Sequence, residues 1–285
     1  MTGKAANPIL FLHIMKTGGT SFIDIIRNNV AKDRRYPDAT LEDKAEMAER
    51  MEAYLHTPRL VSVVNSSARS FDIVCGHIPY AARELLELQY DAVTLLREPV
   101  ERTISYLKHC QKFHVEHKGW PLERIYDDTW YQRSFMSNYQ TRIFSMTAQE
   151  CLSQTRLGDR QPPLPARSAF ISGAPMPEAA QSLLDQGAAR LALELFSPST
   201  GVIEVNGERL ERAKKNLAAV EIVGITERYQ SFITSVALRF GWEVPVVPSK
   251  NVGDKQDISS DLRRRIVCDT AFDRELYEFA KSIAA

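Results

Sequence analysis

The feature that most constrains the fold is the segment at residues 9–30, ILFLHIMKTGGTSFIDIIRNNV. It begins with four apolar residues, Ile9–Leu12, a pattern typical of a strand that is buried on both faces. A short turn with two adjacent glycines follows. Apolar residues then recur at helical spacing, so we expect a helix to begin near Thr20 or Ser21. A strand, a glycine turn and a helix form a phosphate-binding arrangement, because the backbone can approach the anion and the amides at the helix start point at it.

The position of the lysine in this turn distinguishes it from the loop of a common nucleotide kinase. A Walker A loop reads G-x-x-x-x-G-K-[ST], with its lysine after the glycines. Here Lys16 precedes Gly18 and Gly19. The order weakens an interpretation as a P-loop kinase or NTPase, which stays open as an alternative.

The composition limits the class of protein. The chain has 285 residues, enough for one large domain, and its 36 basic residues balance its 36 acidic residues. A net charge of about zero argues against a general nucleic-acid or membrane-surface binder. The four cysteines form no CxxC pair, as expected of reduced cytosolic thiols. With no long apolar run and no leader pattern, we expect no membrane span and a cytoplasmic protein.

Predicted strands alternate with predicted helices along the chain. We expect strands at residues 9–12, 60–64, 71–75, 91–96 and 221–224. Helical patterns cover residues 20–30, 32–57, 81–88, 99–113, 121–146, 178–196, 207–219, 227–240 and 259–283. Prolines mark a loop-rich insertion at about 147–205, and a further loop is expected at 245–255. The alternation predicts one α/β domain, residues 1–285, with a mostly parallel sheet.

A second informative segment is TLLREPVERTISY at residues 94–106. Arg97 ends a predicted strand, and Pro99 suits the first position of a helix. Because open α/β sheets bind ligands at the carboxyl ends of their strands, we expect Arg97 in that crevice. A guanidinium group suits phosphate, and the hydroxyl of Ser105 can complete the site. The alternative is an Arg–Glu pair on the surface.

The third segment is IVCGHIPY at residues 73–80. His77 follows a predicted buried strand, so in a parallel sheet it would lie at the same edge as Lys16 and Arg97. An imidazole with a pKa near 6.5 is largely neutral at pH 7 and can accept a proton. The alternative is a histidine that is satisfied within the core or a turn.

Taken together, the three segments resemble sulfotransferases that use 3′-phosphoadenosine 5′-phosphosulfate (PAPS). The K-T-G-G-T-S-F loop is similar to the family's loop for the sulfonate-bearing phosphate, and L-R-E-P-x-E-R-x-x-S-Y is similar to its element for the 3′-phosphate. The G-H-x-x-[FY] segment resembles sulfotransferase family 2, the uronosyl 2-O-sulfotransferase-like group, and N-Y-Q-T-R is similar to soluble bacterial members. The resemblance covers residues 8–30, 71–108, 136–144, 221–240 and the C-terminal helix.

This resemblance implies a P-loop NTPase-like three-layer sandwich, a sheet flanked by helices. It implies that His77 is the catalytic base and that Lys16 stabilises the departing phosphate. The residues it implies for binding PAPS, or the product adenosine 3′,5′-bisphosphate, are Lys16, Thr17, Gly18, Gly19, Thr20, Ser21, Arg97, Ser105 and Lys250. His13, Gln140 and Arg142 are candidates for substrate binding, and the transfer requires no metal.

The acceptor is expected to be a hydroxyl on a glycan, a glycolipid or a small metabolite. Two other functions stay open. A P-loop nucleotide or small-molecule kinase would show Mg²⁺-dependent ATP turnover, and a non-catalytic nucleotide- or glycan-binding module would bind without transfer.

A last cluster comprises His109, Cys110, His114 and His117, and the spacing of the last three predicts one helix face. Zinc binding is one interpretation. No acidic residue or second cluster completes the set, so the polar rim of an acceptor cleft and an ordinary exposed face are the others.

Overall fold

A five-stranded sheet lies at the centre of the protein in the computed structural model, which describes residues 7–37, 53–68, 70–114, 117–153, 203–244 and 258–285. All of its strands are parallel, in the spatial order β2-β3-β1-β4-β5. The strands are β1 (Ile9–Leu12), β2 (Arg35–Tyr36), β3 (Ile73–Gly76), β4 (Asp91–Leu96) and β5 (Ile222–Ile225). The predicted α/β class with a parallel sheet is confirmed.

Helices connect these strands and cover the sheet. They are α1 (Gly19–Asn29), α2 (Thr57–Ser66), α3 (Pro99–Phe113), α4 (Leu122–Tyr126), α5 (Thr129–Tyr131), α6 (Tyr139–Ser145), α7 (Ala148–Leu152), α8 (Gly207–Ala218), α9 (Tyr229–Phe240), α10 (Ser260–Asp269) and α11 (Ala271–Ile283). Shorter 3₁₀ turns cover Lys32–Arg34, Tyr80–Leu85 and Thr226–Arg228, and a π turn covers Gln132–Met136. No helix within the described ranges has the length and apolarity needed to cross a bilayer.

Alternate residues of the central strand enter two separate cores. Ile9 and Phe11 pack on one face of the sheet with the apolar sides of α1 and α9. Leu10 and Leu12 pack on the other face with α2, α3, α6, α8 and α11. Since side chains alternate between the faces of a strand, a strand covered on both faces must be apolar throughout. The fold is therefore a three-layer sandwich, as expected.

Three predicted elements differ in type from the structure, and the first is a predicted strand. Residues 60–64, expected as a strand, belong to helix α2. Pro58 starts this helix and the His56 side chain accepts a hydrogen bond from the Arg59 amide, while Leu60 and Val64 bury one turn apart. The β-branched valines favoured a strand, but the capping and the one-sided burial favour a helix.

The expected helix over 32–57 is wrong at its start, where a 3₁₀ turn leads into the edge strand β2. The expected helix at 81–88 is a 3₁₀ turn over Tyr80–Leu85. Most of the insertion at 147–205, the expected helix at 178–196 and the expected loop at 245–255 lie outside the described residues.

Candidate functional site

Three loops meet where strands β1, β3 and β4 end. These strands are neighbours, and Leu12 of β1 is level with Gly76 of β3 and Thr94 of β4. The loops after β1 and β3 therefore start side by side, and the loop after β4 starts beyond Leu96, two residues further along. They carry the side chains of Lys16, His77 and Arg97, so this edge of the sheet is the candidate site.

The loop between β1 and α1 has the conformation of an anion-binding turn. Lys16 and Gly18 both adopt left-handed backbone angles, with φ of 68° and 91°. A lysine in this region is uncommon, and such conformations concentrate at functional sites. The buried Thr17 hydroxyl donates to the Ile14 carbonyl at 2.9 Å, which closes the turn. Gly18 provides no side-chain cap, so no side chain of the cap residue blocks the start of α1, where the Ser21 amide donates to the Gly18 carbonyl at 3.2 Å and the preceding helix amides face the turn.

The second glycine of the turn packs directly against a histidine ring. A β-carbon placed on Gly19 would lie 2.1 Å from Cδ2 of His13. No side chain fits there, so the glycine is required by the position of the imidazole. His13 is buried, and its Nδ1 is hydrogen-bonded to the Tyr54 hydroxyl. Burial, followed by the nearby His77 and Lys16, holds the pKa of His13 well below its usual value.

His77 is held with one ring nitrogen fixed. Its Nδ1 donates to the carbonyl oxygen of His13, and its backbone amide donates to the Tyr54 carbonyl at 2.7 Å. Since a carbonyl only accepts, Nδ1 carries the proton and Nε2 keeps its lone pair. Burial lowers the pKa of His77 to about 4, the charges of Arg102 and Lys16 add to this effect, and the bond to His13 opposes it. The imidazole is therefore neutral at pH 7.

Arg97 is positioned by a buried glutamine. Its backbone amide donates to Oε1 of Gln140 at 3.1 Å, and Nε2 of Gln140 donates to the Arg97 carbonyl at 3.0 Å. The Arg97 guanidinium in turn donates to the Lys16 carbonyl at 3.2 Å. The loops after β1 and β4 are thus joined by a direct contact.

Gln140 and Arg142, the candidates for substrate binding, are both engaged by main-chain groups. Arg142 donates to the carbonyls of Ile203, Ser134 and Ser137, at 3.1, 3.0 and 2.8 Å. Burial lowers the pKa of Arg142 to about 10. These contacts give Gln140 a part in positioning Arg97 and give Arg142 a part in packing.

Asp273 of α11 fixes the helix that carries Gln140. Its carboxylate accepts from the backbone amides of Gln140 and Thr141, at 3.0 and 2.7 Å, and from the Thr141 hydroxyl at 2.7 Å. The carboxylate is buried, and burial raises its pKa. An anion at the start of α6 compensates the amides that have no helical partner. The C-terminal helix thus supports the position of Arg97 through α6.

Arg102 is a site residue that the sequence reasoning missed. It is fully buried, its Nε donates to the Met15 carbonyl at 3.0 Å, and its Nη1 donates to the Phe135 carbonyl. The guanidinium also lies over the ring of Tyr139, 4.2 Å from its centroid. Its signal in the sequence is the second arginine of the R-E-P-V-E-R segment.

One face of helix α3 contacts the loop that carries Lys16. Arg102, Ser105 and His109 are spaced three and four residues apart, so they share a helix face. Arg102 touches the loop at Met15. Burial and the charge of Lys16 lower the pKa of His109 to about 4. The half-buried Ser105 lies between these two residues, on the side of α3 that faces the loop.

The turn after β5 joins the same assembly. The hydroxyl of Thr226 donates to the carbonyls of Thr17 and Leu96, at 2.6 and 3.0 Å. The neighbouring Glu227 accepts from the Glu98 amide at 3.2 Å. The loops after β1 and β4 are therefore braced by a third loop. Lys250, also predicted at this site, lies outside the described residues.

The site is electropositive. Burial, followed by the positive charges of Arg102 and Arg97, lowers the pKa of Lys16. A group of cations held this close together favours a ligand with several negative charges. Next to it lies a cavity of about 250 Å³, lined by His77, His13, Tyr54, Thr20, Arg27, Arg35 and apolar residues. The arrangement provides an anion site, a neutral base and an adjoining cavity.

Comparison with known proteins adds no relative, because no family model matches the chain and no significant match occurs among curated proteins.

Proposed function

We propose that the protein is a sulfotransferase that moves the sulfonate group of PAPS to an acceptor hydroxyl. The observation that carries this proposal is the contact between the Arg97 guanidinium and the Lys16 carbonyl, at 3.2 Å. This contact joins the loop of Lys16 to the loop of Arg97, so the two proposed phosphate-binding elements line one crevice. PAPS carries phosphate groups at both ends of its ribose, and ATP does not.

In this proposal the start of α1 holds the 5′-phosphate. Helix amides bind it, and the hydroxyls of Thr20 and Ser21 stand at the same helix start. Arg97 and Ser105 hold the 3′-phosphate. Lys16 lies between these groups and stabilises the charge that develops on the bridging oxygen as the sulfur–oxygen bond breaks.

His77 acts as the base. Its Nε2 lone pair accepts the proton of the acceptor hydroxyl while the hydroxyl oxygen forms a bond to sulfur. The 5′-phosphate leaves with the bonding electrons, and adenosine 3′,5′-bisphosphate is the second product. As in phosphoryl transfer, positioning and electrostatic stabilisation supply most of the acceleration. The fixed tautomer of His77 supports this role, because it leaves Nε2 unprotonated.

The acceptor is a hydroxyl compound, with a glycan or glycolipid as the first class and a small metabolite as the second. The cavity beside His77 supports a bound acceptor, since a base must reach the proton that it removes.

The direct test uses PAPS labelled in its sulfonate group, a panel of hydroxyl compounds and identification of the labelled product. Calorimetry on the same protein compares adenosine 3′,5′-bisphosphate with AMP. We expect transfer to at least one acceptor and a clear preference for the bisphosphate. Equal affinities for the two nucleotides would overturn the assignment. Mg²⁺-dependent ATP turnover would favour a kinase, and tight bisphosphate binding without any transfer would favour a binding module.

A further inference from the structure

A cysteine and two histidines converge at the end of α3 that is distant from Arg97. Cys110 lies in the last turn of the helix, His114 follows its last residue, and His117 lies in the next turn. The sulfur and one nitrogen of each imidazole all lie within 4.8 Å of one another. The sequence predicted a shared helix face, but the helix ends at Phe113. The donors meet because the chain turns there, with the His117 amide donating to the His114 carbonyl at 3.0 Å.

This cluster is largely inside the protein. Cys110 and His117 are buried, and His114 is half-buried. The ring of Tyr131 packs on the imidazole of His117, with centroids 4.6 Å apart, and Trp120 packs on it at 5.3 Å. The interpretation as an ordinary exposed face is therefore wrong for two of the three residues. Aromatic walls around such donors shield a bound ion from water.

We propose that Cys110, His114 and His117 form a mononuclear zinc site. Thiolate and imidazole are the ligands that Zn²⁺ prefers, whereas Mg²⁺ and Ca²⁺ prefer oxygen. Zinc bonds of about 2.3 Å to sulfur and about 2.0 to 2.1 Å to nitrogen require tetrahedral donors about 3.3 to 3.6 Å apart. Donors already within 4.8 Å reach this spacing by small side-chain rotations. Three protein ligands leave the fourth position for water or a further donor.

The zinc site stabilises the turn and takes no part in the transfer. It links the end of α3 to the segment before α4. Both helices pack on the same face of the sheet. None of its three ligands has a role in the sulfotransferase proposal. The two proposals therefore stand or fall separately.

The experiment titrates the chelator-treated full-length protein with Co²⁺ and then with Zn²⁺. We expect one equivalent of Co²⁺ to produce a sulfur-to-cobalt charge-transfer band and tetrahedral visible bands, both removed when Zn²⁺ displaces the cobalt. Cys110→Ser should abolish the charge-transfer band. Cys268→Ser is the matched control, because that thiol is exposed and belongs to a different helix, α10, and it should leave the band unchanged.

Zinc affinity and stability give a second measurement. Mutation of a residue that only orients a metal ligand lowers metal affinity about ten- to a hundredfold. Because His114 is itself a proposed ligand, His114→Gln should lower zinc affinity more than about a hundredfold. Zn²⁺ should raise the Tm of the wild type and of Cys268→Ser, and should leave that of His114→Gln unchanged. His114 is half-buried, so this variant tests the site even if Cys110→Ser does not fold. No charge-transfer band in the wild type, or wild-type zinc affinity in His114→Gln, would overturn the proposal.

Discussion

The two ends of the parallel sheet differ in how their charges are balanced. At the amino end lies a cavity of about 510 Å³, and its cation Arg239 pairs with the Asp91 carboxylate at 2.7 Å. At the carboxyl end the cavity beside His77 is only about 250 Å³. There Lys16, Arg97 and Arg102 form no salt bridge with any carboxylate of the described residues. The cation at the larger cavity is paired with a carboxylate, whereas the three cations in the loops and helix near the smaller cavity form no such pair.

This difference supports the proposal that the carboxyl end of the sheet binds an anion. Burial, followed by the positive charges of Arg102 and Arg97, lowers the pKa of Lys16, so holding its ammonium group charged costs free energy. In the proposed function, a bound phosphate offsets that cost. Cavity size alone favours the amino end, so the two criteria point to different ends of the sheet. The predictions below test the comparison of these two ends.

The largest effect is expected at the reacting groups. His77→Ala and Lys16→Ala should each lower turnover by at least roughly a hundredfold, because one removes the base and the other a donor to the developing charge. The measurement is kcat with labelled PAPS and the acceptor found in the panel. A His77→Ala enzyme with near-normal turnover at saturating substrate would remove this residue from the mechanism.

A smaller loss is expected for the 3′-phosphate contact. Arg97→Ala should weaken adenosine 3′,5′-bisphosphate binding about ten- to a hundredfold, the cost of a charge-assisted hydrogen bond. Binding of AMP should change far less. Calorimetry with both nucleotides separates a specific contact from a general loss of positive charge, and an equal loss for both would show that Arg97 has no preference for the 3′-phosphate.

Gly19→Ala should destabilise the carboxyl end by about 1 to 3 kcal/mol, the usual cost of overpacking. The new methyl group must displace the imidazole of His13, whose ring atoms would lie about 2.1 to 2.2 Å away. Thermal unfolding measures the effect. Gly207→Ala is the matched control, since its β-carbon meets no atom within 4 Å. Equal Tm changes in the two variants would contradict this packing.

The contact between His13 and Gly19 also shows what the sequence could not reveal. The strands β1 and β4 were predicted at their observed bounds, because continuous apolar runs end at turn residues. The position of Lys16, His77 and Arg97 at one edge followed from parallel strands. Local sequence patterns do not predict which side chains pack against one another across long sequence separations.

Tyr54 and Arg102 illustrate this limit. The Tyr54 hydroxyl reaches His13 across 41 residues. Arg102 resembles an ordinary surface charge on a helix, yet it is fully buried beneath the Lys16 loop. The expected strand at 60–64 failed for a related reason, since tertiary burial overrode the local preference of its valines.

Acid should destabilise the protein through the histidines of the carboxyl end. The pKa of His77 is lowered to about 4, and that of His13 is also lowered. Between pH 6.5 and about 4 the unfolded chain binds the His77 proton and the folded chain does not, so the stability that His77 contributes is fully present above pH 6.5 and is lost as the pH falls toward 4, and His13 acts in the same direction. One such histidine contributes at most about 1.4 kcal/mol per pH unit. The Tm measured across this range should fall less steeply in His77→Ala than in the wild type. A Tm that rises on acidification would refute the assignment.

The smallest effect on turnover is expected at the amino end. Arg239 donates to Oδ2 of the buried Asp91, whose Oδ1 accepts from Asn7 at 2.9 Å. Arg239 is itself more than half exposed but Asp91 is buried, so Arg239→Ala should cost about 1 to 3 kcal/mol of stability, because the carboxylate loses a charge-assisted hydrogen bond. Turnover should stay within about twofold of the wild type, because surface changes distant from a site rarely affect it. If Arg239→Ala lowered turnover as strongly as Lys16→Ala, the larger cavity would be part of the active site. The paired charge at the amino end would then be no evidence that this end lacks a function.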